Sequence, residues 1–272
     1  MTVETRVING LSVDHAPGGG QPLLMVHGAS GGSWSWENWM PRFAAAGFDC
    51  YALNLRGHPP SPPHPALGSV TLQDYAADVE GVMAALDRPP VLMGHSMGGA
   101  IAQMVAAERD VPGLILVSSA PLAGVKFRSA GFNIWVLLNA LKTIPAALRH
   151  HPFMPGYRVM RDAVMNHMEP GRRRATYARC VPESSTVGMQ ILRGSVAADL
   201  SRVRVPKLVI GGADDLTSPI DMQREIAQAQ GAEFVQLSGH GHLPMLEPGW
   251  EQAADRVLEW LQANGLKADA AG

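Results

Sequence analysis

Residues 91–100 read Val-Leu-Met-Gly-His-Ser-Met-Gly-Gly-Ala. An apolar run passes through a Gly-x-Ser-x-Gly turn into a small-residue stretch of helical character. This is the pattern of a serine nucleophile raised on a sharp strand-to-helix turn. A serine hydroxyl can attack a carbonyl only if its Oγ projects clear of the sheet. That demands a strained backbone at Ser96 and no side chains at Gly94 and Gly98, where neighbouring chain would collide. The helix that follows aims its free N–H groups at the negative charge that develops in acyl transfer.

A tetrahedral intermediate needs two N–H donors. Met97, next after the serine, supplies one, and the other comes from the loop after an earlier strand. That strand is Leu23 to Val26, and the loop is His27-Gly28-Ala29-Ser30-Gly31-Gly32, with Ala29 as the candidate donor. His27, at a strand end, is expected to be structural.

The base must be a histidine oriented by a carboxylate. The chain has ten histidines, so position has to decide. Where a serine stands on such a turn, the acid and then the histidine follow it in the chain, each in a loop after a later strand. The strand Lys207–Ile210 is followed by Gly-Gly-Ala-Asp214-Asp215-Leu-Thr-Ser-Pro219. The strand Phe234–Leu237 is followed by Ser-Gly-His240-Gly-His242-Leu-Pro-Met-Leu-Glu247. Adjacent residues point differently, so only one of Asp214 and Asp215 can orient the histidine. The same holds for His240 and His242, and spacing alone does not choose. His95 should pack under the turn. His150, His151 and His167 are expected at the surface or along a pocket.

These groups need a scaffold. Strands are expected at Pro22–Val26, Phe48–Leu53, Val91–Gly94, Leu114–Val117, Lys207–Ile210 and Phe234–Leu237. Helical spacing recurs at Trp36, Trp39, Met40 and Phe43, then from Thr71, where Asp74 completes a capping pattern and Leu72, Tyr75, Val79, Val82, Met83 and Leu86 share a face. Further helices are expected over Met97–Ala107, Pro219–Gln230 and Gly249–Asn264. Five prolines between Gly57 and Gly68 make that stretch a loop. Fully apolar strands alternating with helices imply an α/β fold with a mostly parallel sheet covered on both faces.

The interval between Val117 and Lys207 breaks this rhythm. It has no strand pattern, yet an unstructured loop of that length would be exceptional. Ile134, Trp135, Leu137, Leu138 and Leu141 lie on one helical face, and more helical stretches follow between prolines. The expected organisation is a core of residues 1–122 and 200–272, with a helical cap of residues 123–199 inserted in it.

Composition sets outer bounds. Of 272 residues, 46% are hydrophobic and 17% charged, enough for a large buried core, and the net charge is −2. The Arg172-Arg173-Arg174 run is read as a solvated helix face, so no nucleic-acid partner is expected. Two distant cysteines, Cys50 and Cys180, make neither a metal site nor a disulfide framework. The first residues carry Glu4 and Arg6 and lack an apolar signal segment, and Phe132–Leu141 is too short to span a bilayer. A cytoplasmic protein without a membrane partner is expected.

With these motifs in view, the sequence resembles the α/β-hydrolase superfamily, and within it the small capped esterases of the "hydrolase fold 1" group. The motifs are His27-Gly28 after a strand, Arg56-Gly57-His58 after the next, Gly94-His95-Ser96-Met97-Gly98-Gly99, Asp215 with Pro219, and Gly241-His242 with Glu247. The family's acid usually stands four residues before a proline, as Asp215 does. Its histidine usually follows a glycine and precedes a glutamate by five, as His242 does. The resemblance therefore implies Ser96, Asp215 and His242 as the triad, with Asp214 and His240 as neighbours. Val26-His27-Gly28-Ala29 and Gly32-Ser33-Trp34-Ser35-Trp36 are similar to plant methylesterases and hydroxynitrile lyases, in which the alanine after His-Gly is an oxyanion donor. Many members continue Arg-Gly-His with Gly-x-Ser. Here Pro59-Pro60-Ser61 follows, in a loop that often borders the pocket.

The implied reaction is hydrolysis of a carboxylic ester of a small to medium apolar substrate through an acyl-enzyme, without cofactor or metal. The insertion supplies Phe132, Ile134, Trp135, Leu138, Phe153, Met154, Met160 and Met165, either as a pocket lining or as the cap's own core. Arg128, Arg158 or Arg161 could bind a substrate carboxylate or lie at the surface. The alternatives are C–C bond hydrolysis, lyase or perhydrolase chemistry with the same triad, and a ligand-binding receptor with a vestigial triad.

Overall fold

A computed structural model of the chain describes residues 2–126, 144–146 and 148–266. Eight strands form one sheet: β1 Glu4–Ile8, β2 Leu11–Ala16, β3 Pro22–Val26, β4 Asp49–Leu53, β5 Val91–His95, β6 Leu114–Val117, β7 Lys207–Gly212 and β8 Glu233–Leu237. Their spatial order is β1-β2-β4-β3-β5-β6-β7-β8. From β4 to β8 the neighbours are parallel, while β1 and β2 add an antiparallel edge. The α/β reading holds, and each strand expected from the apolar runs is present.

The first two strands were not expected. β1 is exposed and charged, so it lacks the apolar run that marks the others. Its signal is the dipeptide Asn9-Gly10, both with positive φ (49° and 79°). That conformation matches the twist of a tight hairpin, and it sets the register at Ile8 opposite Leu11.

The helices cover both faces. Helix α1 (Trp39–Ala45) lies on one side with α7 (Trp250–Ala263). On the other lie α2 (Leu72–Met83), α3 (Met97–Glu108) and α6 (Ile220–Gln230). Thr71 caps α2 as expected: its Oγ1 accepts from Asp74 N–H at 3.1 Å and its own N–H donates to Asp74 at 2.8 Å. The strands at the centre are fully buried because apolar side chains meet a helix layer on each face.

Between β6 and β7 the structure describes a short helical turn (Tyr157–Val159) running into a π-helical turn (Met160–Val164). Helices α4 (Pro170–Arg179) and α5 (Ser185–Arg193) follow. One isolated β-bridge joins Phe153 to Glu183. The helix expected around Ile134–Leu141, with Phe132 and Arg128, lies outside the described residues.

The arginine run of α4 is not a merely solvated face. Arg172 and Arg179 both pair with Glu37, at 3.1 and 2.7 Å, and the Arg179 guanidinium lies 4.7 Å from the Trp34 ring centroid. Arg173 donates to the carbonyls of Met168 and Asn166, and Arg174 stacks on Tyr157. These half-exposed pairs each contribute about 0.5 kcal/mol, but together they fix α4 against the loop after β3. At α5, Ser184 caps the helix and donates to Val70 O, and Thr186 donates to Gly68 O.

Candidate active site

Ser96 stands between β5 and α3 with φ 52° and ψ −119°, a conformation costly for a residue with a side chain. Its neighbours show why glycines flank it. A Cβ on Gly94 would lie 2.2 Å from Gly98 O, and one on Gly98 would lie 2.3 Å from Val26 O. Both contacts are with backbone, which cannot swing away. Gly98→Ala is therefore expected to lower stability by at least about 3 kcal/mol, measured by denaturant unfolding.

The loops after β7 and β8 bring their groups to the same point. His242 Nε2 lies 3.1 Å from Ser96 Oγ, and His242 Nδ1 lies 2.8 Å from Asp215 Oδ2. The other Asp215 oxygen accepts from the N–H groups of Thr217 and Ser218, both at 2.8 Å. The carboxylate is thus fixed from below and presents one oxygen to the imidazole. Asp214 faces away, with its side chain half exposed and 3.4 Å from His167 Nε2. His240 is buried beside Glu247, 3.4 Å from its carboxylate, and makes no approach to Ser96.

Three backbone contacts hold His242. Glu247 accepts from Gly241 N–H at 2.7 Å and from Leu243 N–H at 3.1 Å, one on each side of it. His95 Nε2 lies 2.8 Å from the His242 carbonyl. Burial, with the neighbouring His242, drives the His95 pKa well below the ordinary value, so His95 is a neutral donor packed beneath the turn. The five-residue step from His242 to Glu247 thus has a mechanical basis: the carboxylate spans the peptide on either side of the imidazole.

Met97 is the first residue of α3, so its N–H has no partner within the helix. Ala29 lies in the loop after β3. Both tautomeric ends of His27 are assigned by their partners: Nδ1 donates to Gly28 O (2.8 Å) and Nε2 accepts from Leu55 N–H (3.2 Å). Burial, then the nearby His58, lower its pKa to about 3. It is a structural histidine, as expected.

Ser96, His242 and Ala29 open on a cavity of about 330 Å³. The loop after β3 gives one wall with Ser30, Gly31, Trp34 and Ser35. The segment between β6 and β7 gives the opposite wall, including Phe153, Met160, Val164, Met165, Met189 and Ile191. Phe153, Met160 and Met165 therefore line the cavity. Met154 does not, and Phe132, Ile134, Trp135 and Leu138 lie outside the described residues. Met160 and Met165 also belong to the same apolar cluster as α1 and α7 rather than to a separate one. Neither Arg158 nor Arg161 is part of the described lining, and Arg161 pairs with Asp162 at 2.5 Å. Among the described residues, no group of three or more His, Cys, Asp or Glu side chains is placed to hold a metal ion. No helix among them is long and apolar enough to cross a membrane.

The model of the alpha/beta hydrolase family matches residues 23–260. The chain belongs to that family. Its relatives include a non-heme chloroperoxidase of Streptomyces lividans, 38% identical over a stretch covering 42% of each chain. Another, the non-heme chloroperoxidase CPO-A1 of Kitasatospora aureofaciens, is 24% identical over 90% of this chain and 93% of that one. Among solved structures, a thermophilic esterase from Thermogutta terrifontis superposes with a TM-score of 0.72 at 22% identity, covering 97% of this chain and 99% of that one. The enzyme is thus an α/β-hydrolase in sequence and in fold.

One charged group in the hydrolase's cavity wall had no sequence signal. Glu183, between α4 and α5, is buried and accepts from Tyr75 Oη (2.6 Å), Ser184 N–H (2.7 Å) and Ser30 N–H (3.2 Å), and it pairs with His58 Nε2 (3.1 Å). Burial alone would raise its pKa. The His58 charge and these hydrogen bonds outweigh that and hold it at about 2. His58 lies in the proline-rich loop after β4. That loop does not line the cavity itself but backs the wall through Glu183. Burial acts to lower the His58 pKa, and Glu183 reverses this, so the net shift is upward.

A stability profile follows from the signs. Glu183 is depressed from 4.5 to about 2, so its contribution is complete above pH 4.5 and lost as pH falls toward 2. His58 is raised above 6.5, so its contribution is complete below that value and lost as pH rises through its folded pKa. The unfolding free-energy gap between wild type and Glu183→Gln is expected to shrink by roughly 3 kcal/mol between pH 5 and pH 2. Denaturant titrations at the two pH values measure it.

Proposed function

We propose that this hydrolase cleaves a carboxylic ester of a small to medium apolar substrate by a Ser96 acyl-enzyme. The observation that carries the reading is the unbroken line from Asp215 through His242 to Ser96 Oγ at the mouth of an apolar cavity. His242 takes the Ser96 proton as Oγ attacks the carbonyl carbon. Asp215 keeps the imidazole proton on Nδ1 and balances the imidazolium. The N–H groups of Ala29 and Met97 hold the oxyanion. His242 returns the proton to the departing alcohol, and a water activated by the same imidazole then releases the acid. Residues 123–199 act as the cap, whose apolar side chains select the acyl or aryl group. The substrate is a small molecule met in the cytoplasm; two unpaired cysteines agree with a reducing compartment.

A second reading is favoured by the names of the chloroperoxidase relatives. Hydrogen peroxide in place of water at the acyl-enzyme would release a peracid with the same triad. A chain-length series of p-nitrophenyl esters, with and without hydrogen peroxide, separates the two. Hydrolysis should peak at one chain length and give the acid. Peracid as the main product would favour the second reading. Negligible turnover in a protein that a fluorophosphonate labels would shift the assignment to C–C cleavage or lyase chemistry. Absence of labelling would leave the receptor reading.

A further inference from the structure

Ser30 is held at both of its backbone polar atoms by the insertion. Its N–H donates to Glu183 Oε2 at 3.2 Å, and its C=O accepts from Val181 N–H at 3.1 Å. It has φ 60°, a left-handed conformation that a serine keeps only when its surroundings impose it. The preceding residue is Ala29, so the Ala29–Ser30 peptide is clamped by Glu183. On the other side, the Gly28 C=O accepts from His27 Nδ1 at 2.8 Å and from Gly31 N–H at 3.1 Å. That carbonyl shares a peptide plane with the Ala29 N–H, and both planes flanking Ala29 are therefore fixed.

The Glu183 charge is itself balanced. His58 Nε2 faces the carboxylate at 3.1 Å and its Nδ1 faces Arg56 O at 3.2 Å. Both partners are acceptors, so both ring nitrogens must carry protons, and His58 is an imidazolium. The other ionisable groups around it are the neutral His27, 4.8 Å away between ring centroids, and Tyr75, whose hydroxyl is already committed to Glu183. Beyond them, Arg56 is paired with Asp78 at 2.7 Å. Without His58, a buried anion would stand beside the loop where the oxyanion forms and oppose it.

We propose that Glu183, neutralised by His58, is a positioning residue for the reaction: it reaches from the insertion to set the peptide that follows Ala29, and so aligns the Ala29 N–H on the oxyanion. This rests on the ester-cleaving reading. It makes the inserted segment part of the catalytic geometry as well as of the pocket wall. A donor that is misaligned rather than deleted should cost less than the full loss of an oxyanion donor.

The test compares wild type with Glu183→Gln, using the preferred p-nitrophenyl ester. Rates are counted per site titrated by a fluorophosphonate, so that unfolded protein does not enter. The expected result is a kcat about 10- to 100-fold lower with KM within about 3-fold. An aliphatic trifluoromethyl ketone, which forms an oxyanion on Ser96, should lose affinity by the same factor as kcat/KM. A structural role alone would lower the titrated fraction and leave kcat per site unchanged. If Glu183→Gln yields too little folded protein, His58→Gln tests the other half of the proposal, the neutralisation of the Glu183 charge. Its amide can still donate to Glu183 but brings no charge, and the same split of kcat and KM is expected. Titratable variants with kcat within about 2-fold of wild type would overturn the Glu183 role alone. Failure of wild type to label or to turn over any ester would overturn the ester reading and this inference with it.

Discussion

Ser96→Ala is expected to lower kcat for the preferred ester by at least about 10⁴-fold, with KM nearly unchanged and fluorophosphonate labelling abolished. The size of the effect follows from the mechanism. In the proposed mechanism Oγ is the atom that bonds to the carbonyl carbon, and among the described residues it is the side-chain hydroxyl paired with His242 Nε2, at 3.1 Å. What survives is whatever rate the proposed oxyanion donors and binding give to attack by water. The same position stores strain, because φ 52° with ψ −119° disfavours any side chain. Ser96→Gly should therefore be more stable than Ser96→Ala by about 1–3 kcal/mol, while both are inactive. Thermal unfolding of the two variants beside a turnover assay measures both effects. An alanine variant that keeps wild-type turnover would remove Ser96 from the chemistry altogether.

The features legible in the sequence share a physical trait: the local chain contains the whole reason for them. The strand before Ser96 is apolar because helices cover both its faces, and Gly94 and Gly98 are glycines because backbone lies within 2.3 Å of where a Cβ would sit. Thr71 and Asp74 cap one another across three residues. The β1–β2 hairpin also has a local signal, Asn9-Gly10, but the sequence reading missed it because β1 is exposed and charged and shows no apolar run.

Other features depend on residues far apart in the chain. His242 is distinguished from His240 by where the backbone turns, and that is decided by Glu247 gripping Gly241 and Leu243 and by His95 gripping the carbonyl between. The resemblance to a family chose His242, whereas spacing could not. Glu183 had no local signal at all. Its significance comes from His58, Tyr75 and Ser30, which lie on a loop after β4, on α2 and in the loop after β3. A lone glutamate between Pro182 and Ser184 carries no trace of them in the sequence.

Asp215→Asn is expected to lower kcat by about 10³- to 10⁴-fold, against less than about 3-fold for Asp214→Asn. The adjacent residues differ in what surrounds them. One oxygen of Asp215 accepts two backbone N–H groups, from Thr217 and Ser218. In the asparagine variant the amide oxygen must occupy that position, because an NH₂ group there would face two donors. The NH₂ is then forced toward His242 Nδ1, where the carboxylate oxygen stood at 2.8 Å. An NH₂ donates, so Nδ1 must accept, and the imidazole proton moves to Nε2. That proton points at Ser96 Oγ, and the ring can no longer take the hydroxyl proton. The loss is one of tautomer rather than of fold, so thermal unfolding should change little while turnover collapses. Asp214 has no such constraint: its side chain is half exposed, its near neighbour is His167, and it does not reach His242. Steady-state kinetics of both variants on one ester decide the matter, and inactivity of Asp214→Asn beside an active Asp215→Asn would reverse the assignment of the acid.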